Sequence, residues 1–155
     1  MVIFIYMTWK ERRTEYENEG VTYLKKIVKQ GWEVTPTVNP YTTYDATVTK
    51  GDMSFKVENK TRTFTWDTYD EIYLAYKKLD PDVKYYIEYF TDGVAAVTTY
   101  DKIVKGLEDG TIKKKKVLVP KGQCKFLNGV DKSMEELLNL VIPKSLFDVR
   151  RFSCH

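Results

Sequence analysis

Tyr44-Asp-Ala-Thr-Val-Thr-Lys-Gly-Asp-Met-Ser-Phe-Lys-Val-Glu-Asn-Lys60 is two alternating runs joined by a turn. Side chains on a strand alternate with period two, so Ala46 and Val48 share one face while Asp45, Thr47 and Thr49 share the other. In the second run Met53, Phe55 and Val57 form the apolar face, and Ser54, Lys56, Glu58 and Lys60 point the opposite way. Lys50-Gly51-Asp52 is a turn, because Gly tolerates positive φ and Asp satisfies local backbone groups. The stretch predicts a β-hairpin that brings Asp45 near Glu58 and Lys60.

Upstream, the chain from Thr8 reads as a helix that stops at Gly31. Thr8-x-x-Glu11 or, later, Thr14-x-x-Glu17 serves as its capping box. Val21, Leu24, Ile27 and Val28 form one stripe, and Glu17 projects within about 40° of its centre, whereas Glu19 lies well off it. A carboxylate on the buried side of an amphipathic helix is costly unless paired. Glu17 is therefore either a functional acid or a first-turn capping partner. The apolar Met1–Met7 is too short for a signal peptide or a span. It is a short strand, or else the organised sequence starts at Met7. After Gly31 come an extended Trp32–Val38 and a turn at Asn39-Pro40 that leads into Asp45.

An Asp on one strand and Glu-x-Lys on the next, here Asp45 and Glu58-Asn59-Lys60, resembles the PD-(D/E)XK nuclease superfamily. In a chain with eleven Glu and twenty Lys the triplet by itself is common. The order is more specific: a Glu-bearing helix ending at a Gly followed by an aromatic residue, then the Asp strand, then the Glu-x-Lys strand. The resemblance spans roughly residues 10–62. It implies a Mg2+ site, with Mn2+ as a substitute, held by Asp45, Glu58 and the backbone carbonyl of Asn59. It assigns Lys60 to the attacking water and the transition-state charge, and Glu17 to completing or buttressing the site. The residue types suit the chemistry, since phosphodiester hydrolysis needs a hard cation on clustered carboxylates and a nearby ammonium. Asn59 departs from the family pattern, in which the middle residue is apolar or small and faces the core, so either Asn59 is hydrogen-bonded there or the strand is less central. The same hairpin also reads as a solvated surface strand whose acids and lysines keep an edge soluble.

Downstream, Thr68-x-x-Glu71 opens a predicted helix over Tyr69–Lys78, Lys84–Phe90 and Val94–Thr98 are strands around an Asp92-Gly93 turn, and Tyr100–Leu107 is helical. Thr111–Val119 reads as a strand, and Ser133-x-x-Glu136 caps an apolar helix through Val141. No internal repeat or linker divides the 155 residues, which read as one domain. The predicted fold class is α/β, a mixed central β-sheet flanked by helices, restriction-endonuclease-like by resemblance.

The net charge of +3 permits a nucleic-acid partner without demanding one. Lys113, Lys114, Lys115 and Lys116 are the candidate DNA-phosphate contacts, although such a run also makes a solvated edge, and only alternate lysines share a face. Arg12, Arg13, Lys25, Lys26, Lys29, Arg150 and Arg151 are further basic candidates. Trp66, Tyr69 and Tyr73 stack on splayed bases or belong to the core. Cys124 and Cys154 form neither a metal spacing nor a disulfide framework, which fits a reducing cytosol. A terminal His155 as the sole histidine argues against histidine catalysis and zinc. No Gly-rich phosphate loop is present. The Gln-x-x-x-Tyr element of the exonuclease branches is also absent, so the resemblance favours an endonuclease, of the junction-resolving or recombination kind found in phages and other mobile elements. It implies a homodimer where two strands are cut. The competing reading is a catalytically inactive DNA-binding or protein-interaction module that keeps the fold.

Overall fold

A computed structural model describes residues 19–38, 44–120 and 134–153. The first described element is a helix over residues 19–27, α1, which gives way to a turn where Gly31 takes φ 93. Strand β1 (Glu33–Pro36) follows, then β2 (Ala46–Lys50) and β3 (Met53–Thr61). The hairpin forms as its alternation predicts: β2 and β3 pair antiparallel from Ala46↔Val57 to Lys50↔Met53, around a tight turn in which Gly51 has φ 59. The remaining elements are β4 (Glu71–Ala75), a 3₁₀ turn at Tyr76–Lys78, β5 (Val83–Tyr89), β6 (Val94–Thr99), α2 (Tyr100–Glu108), β7 (Lys113–Pro120), β8 (Met134–Pro143) and β9 (Asp148–Arg151). Among the described residues no helix is long and apolar enough to cross a membrane.

The fold is α/β around a mixed six-stranded sheet in the order β1-β2-β3-β5-β6-β9, accompanied by a three-stranded sheet β4-β8-β7. Only the central β3–β5 pair is parallel among the described strands. Each face of the large sheet carries its own core. On one, Leu24 of α1 packs with Ala46, Val48, Val57, Ile87, Tyr89 and Ala95. On the other, Val83, Tyr86, Phe90, Val94 and Ala96 meet Ile103 of α2 and Ile72, Leu140 and Ile142 of the small sheet. Burying each of the larger side chains contributes about 1.5–3 kcal/mol, so both faces are held by several such groups rather than by one. Gly20 allows the close approach of α1 to β3, since a Cβ there would lie 3.2 Å from Asn59 Cβ.

Two segments expected to be helical are strands. In residues 71–75 the buried Ile72 and partly buried Leu74 are two apart, and in β8 the buried pair is Leu140 and Ile142. Both pairs point onto the large sheet, a period-two burial that a helix cannot deliver. The expected capping box at Thr68 does not form; the Thr68 hydroxyl lies 3.0 Å from that of Thr65 instead. Both runs were too short for periodicity alone to separate the two states, and the pairing of β8 with β4 on one side and β7 on the other decided for strand. As a result one flank of the large sheet carries α1, and the other carries α2 together with a second sheet.

The ladder between β7 and β8 is longer than that between β4 and β8. Strand β4 ends at Ala75↔Asn139, whereas β7 and β8 continue to pair from Lys116↔Leu138 to Pro120↔Met134. A two-stranded ribbon therefore runs past the end of β4, beside the 3₁₀ turn Tyr76–Lys78.

Candidate functional site

The hairpin brings together the acids that the sequence placed on one face. Asp45 immediately precedes β2; its N–H donates to Val57 O at 2.8 Å, and its carboxylate Oδ2 accepts the Asn59 N–H at 2.7 Å. That second bond fixes the Asp45 carboxylate beside β3 at the level of Glu58. Glu58 is only 9% exposed. Burial, and then the negative charge of Asp45, push its carboxyl from 4.5 up to about 8, against the opposing pull of Lys78. Its Oε2 is buried with no hydrogen-bond partner, while Oε1 lies 3.6 Å from Lys78 Nζ.

Lys60 stands two residues along on the same face as Glu58, opposite Glu88 of β5 in the ladder. It is exposed over much of its length, yet partial burial of its amine, with repulsion from Arg62 next, holds it below the usual lysine range. Glu88 is buried and pairs with the Arg62 guanidinium, whose Nη2 also donates to Tyr73 O of β4 at 2.8 Å. Burial raises the Glu88 carboxyl, and Arg62 opposes that rise. Breaking a buried pair by deleting one member leaves an uncompensated charge. Arg62→Ala is therefore expected to lose about 3–5 kcal/mol of stability in urea unfolding at pH 7. Adding Glu88→Gln should restore a large part of it, and a single variant as stable as the parent would show that the pair carries no such load.

Three residues of the site were not singled out in the sequence. Lys78 comes from the 3₁₀ turn, which looked like the end of a helix. Arg62, directly after the end of β3, and Glu88 on β5 meet only through the parallel pairing of those two strands. Tyr86, the ladder partner of Glu58, holds the lysine-bearing turn: its hydroxyl accepts the Asp80 N–H at 2.9 Å and reaches Lys78 O at 3.1 Å. Burial raises that phenol to about 12, so it stays protonated and can donate.

Asn59 faces the other side of β3, where its Oδ1 accepts the Tyr89 hydroxyl at 2.9 Å and its Nδ2 is buried without a partner. The expected partner exists, but it satisfies half of the amide. Glu17, Cys124, Cys154, His155, Arg12 and Arg13 lie outside the described residues. The described part of α1 meets β3 at Asn59 and Thr61, on the face opposite Glu58. Glu19 accepts the Tyr23 hydroxyl. Lys113, Lys114, Lys115 and Lys116 are all exposed on β7, in the small sheet on the Glu58 side. The α1 lysines belong to the opposite side of the large sheet, so the two basic groups do not form one surface. Trp66 packs against Phe90 and Phe147 of the core, whereas Tyr69 and Tyr73 are exposed.

Among the described residues no three acidic, histidine or cysteine side chains gather as a metal cage. Two carboxylates, one of them carrying a buried oxygen without a partner, still match Mg2+, which is commonly held by one or two carboxylates and keeps several waters or phosphate oxygens.

No family model matches the chain, and no curated protein sequence matches it. Among solved structures, a nuclease from a fusselovirus is similar at 16% identity and TM-score 0.49, covering 94% of this chain and 90% of that one. A bacterial homing endonuclease is similar at 15% identity and TM-score 0.42, covering 62% of this chain and 68% of that one. Likenesses at this level carry no activity across; the chemistry rests on the residues of this chain.

Proposed function

We propose that the chain is a divalent-metal-dependent DNA endonuclease. In this reading Asp45 and Glu58, with the backbone carbonyl of Asn59, hold Mg2+ or Mn2+, and Lys60 serves the scissile phosphate. The observation that carries the reading is the buried Glu58 carboxyl set against Asp45 with Oε2 unpartnered, an arrangement satisfied by a proton or by a cation. When bound there, a hard divalent ion neutralises phosphate charge and acidifies a bound water. The chain's own residues do the rest. The Asn59 N–H orients Asp45, Tyr86 fixes the turn that carries Lys78, and the Lys60 amine, held low, exchanges a proton more readily than an ordinary lysine. Substrates of the junction or recombination type, and a homodimer acting on two strands, belong to the same proposal.

Lys78 favours a second reading, because an ammonium 3.6 Å from Glu58 Oε1 can supply the counter-charge itself, as in a catalytically inactive DNA-binding module. Incubating purified protein with supercoiled plasmid separates the two. Nicking with Mg2+ or Mn2+ that stops with chelator and falls at least tenfold in Lys60→Met is expected for the enzyme. No nicking with either ion, together with binding that ignores the metal, would establish the inactive module.

A further inference from the structure

Arg62, Lys60 and Lys78 stand around the candidate acids, and they are held very differently. Arg62 is committed, since its guanidinium pairs with Glu88 and also donates to Tyr73 O at 2.8 Å. Lys60 is fixed on β3, two residues from Glu58 on the same face. Lys78 is the loose one. Its Nζ lies 3.6 Å from Glu58 Oε1, longer than the roughly 2.7–2.9 Å of a formed N⁺–H···O⁻ bond, and its side chain is 33% exposed.

The turn that carries Lys78 does not depend on that contact. Leu79 N–H donates to Tyr76 O at 3.0 Å, Val83 N–H donates to Asp80 O at 3.0 Å, and the Tyr86 hydroxyl accepts the Asp80 N–H at 2.9 Å and reaches Lys78 O at 3.1 Å. The main chain is thereby anchored to the large sheet, while a flexible four-carbon stem carries the ammonium. Behind burial and Arg62, Lys78 is a further charge that holds the Lys60 amine low, so the two lysines stand close enough to repel each other. An anion between them relieves that repulsion.

We infer that Lys78 is a second phosphate-binding lysine of the site, stored on Glu58 in the metal-free protein and turned onto the scissile phosphate when Glu58 gives its charge to a divalent ion. The inference rests on the nuclease reading, and it differs from the one in which Lys78 neutralises Glu58 permanently. Charge balance supports it. Two carboxylates cancel a divalent ion, which leaves the phosphodiester with one negative charge and the deprotonated attacking water with another. Lys60 matches one of these, and Lys78 is placed to match the other.

Lys78→Met tests the exchange in two ways that do not depend on turnover. An ammonium repels a divalent ion about twice as strongly as it repels a proton at the same place, so its removal favours the ion over the proton on Glu58. Calorimetry without DNA is therefore expected to show Mg2+ and Mn2+ bound at least about threefold tighter by Lys78→Met than by the parent. Fluorescence anisotropy on a labelled duplex, with Ca2+ in place of Mg2+ to limit cutting, reads the other half. There Lys78→Met should flatten the slope of log Kd against log salt by about 0.9, the loss of one phosphate contact, whereas in chelator its slope should match the parent's. Lys78→Gln should behave as the Met variant does, and Lys78→Arg, which keeps the charge, should keep the parent's slope. Mn2+-dependent nicking should fall at least about tenfold in the Met and Gln variants. Metal binding that is unchanged or weaker in Lys78→Met, or a slope that flattens equally with and without Ca2+, overturns the inference. Either result in a parent that still cleaves with metal, and loses cleavage in Asp45→Asn, sinks this inference alone. A parent and a Lys78→Met variant that both fail to bind metal sink the nuclease reading first, and this inference with it.

Discussion

Asp45→Asn and Glu58→Gln are each expected to lower metal-dependent cleavage by about 10²–10³-fold or more, and Glu58→Gln is expected to make the metal-free protein more stable at the same time. The two effects share one cause. In the fold the Glu58 carboxyl is raised from 4.5 to about 8, so keeping it ionised without a cation costs on the order of 5 kcal/mol. A glutamine carries no such cost, and its amide can donate to Asp45. Asp45→Asn should gain less, because the carboxylate Oδ2 that accepts the Asn59 N–H at 2.7 Å becomes a neutral and weaker acceptor. Plasmid nicking and urea unfolding in chelator at pH 8.5 provide the paired readouts. Retained cleavage in both variants would remove the acids from the site, and lost cleavage with lost stability in Glu58→Gln would mark structural damage instead of catalysis.

The second large effect is a dependence of stability on pH that a divalent ion reverses. The folded chain holds the Glu58 proton up to about pH 8, whereas the unfolded chain releases it near 4.5. Between those values the native state binds more protons, so this group's contribution to stability is fully present below about 4.5, falls as pH rises, and levels off above about 8. A cation at the carboxylates takes the place of that proton, so its affinity and the thermal shift it produces should grow over the same window. With chelator, Tm should be lower at pH 8.5 than at pH 6; with Mg2+ the gap should close, and cleavage should climb toward pH 8. A thermal shift with Mg2+ as large at pH 6 as at pH 8.5 would mean that the ion binds elsewhere.

The hairpin and its acids were legible because two simple signals agreed: alternation set the faces of Asp45, Glu58 and Lys60, and Gly51 set the turn. Both are local and need no knowledge of the rest of the chain. The central strands Val83–Tyr89 and Val94–Thr99 and the helix Tyr100–Glu108 were legible for the same reason. What escaped was non-local. Ile72 and Leu74 declare a strand only once β8 lies beside them, and Lys78 becomes a site residue only when Tyr86 draws its turn against Glu58. The Arg62–Glu88 pair joins the residue after β3 to β5 across a crossover, and the pattern of neither strand announces the other. A run such as Leu137-Leu138-Asn139-Leu140 fits a helix or a buried strand equally well, and only its partner strand tells them apart.

The parallel step between β3 and β5 also sets an order of assembly. Asp45 and Glu58 are brought together by a tight hairpin, a contact that closes in microseconds, whereas β5 can join β3 only after the chain from Arg62 to Asp82 has looped back. That returning loop carries Lys78, and the docking of β5 behind it brings Glu88 to Arg62. The two hairpin carboxylates therefore meet before Lys78 reaches Glu58. The non-local closure of this loop is thus also what brings Lys78 to Glu58 and Glu88 to Arg62.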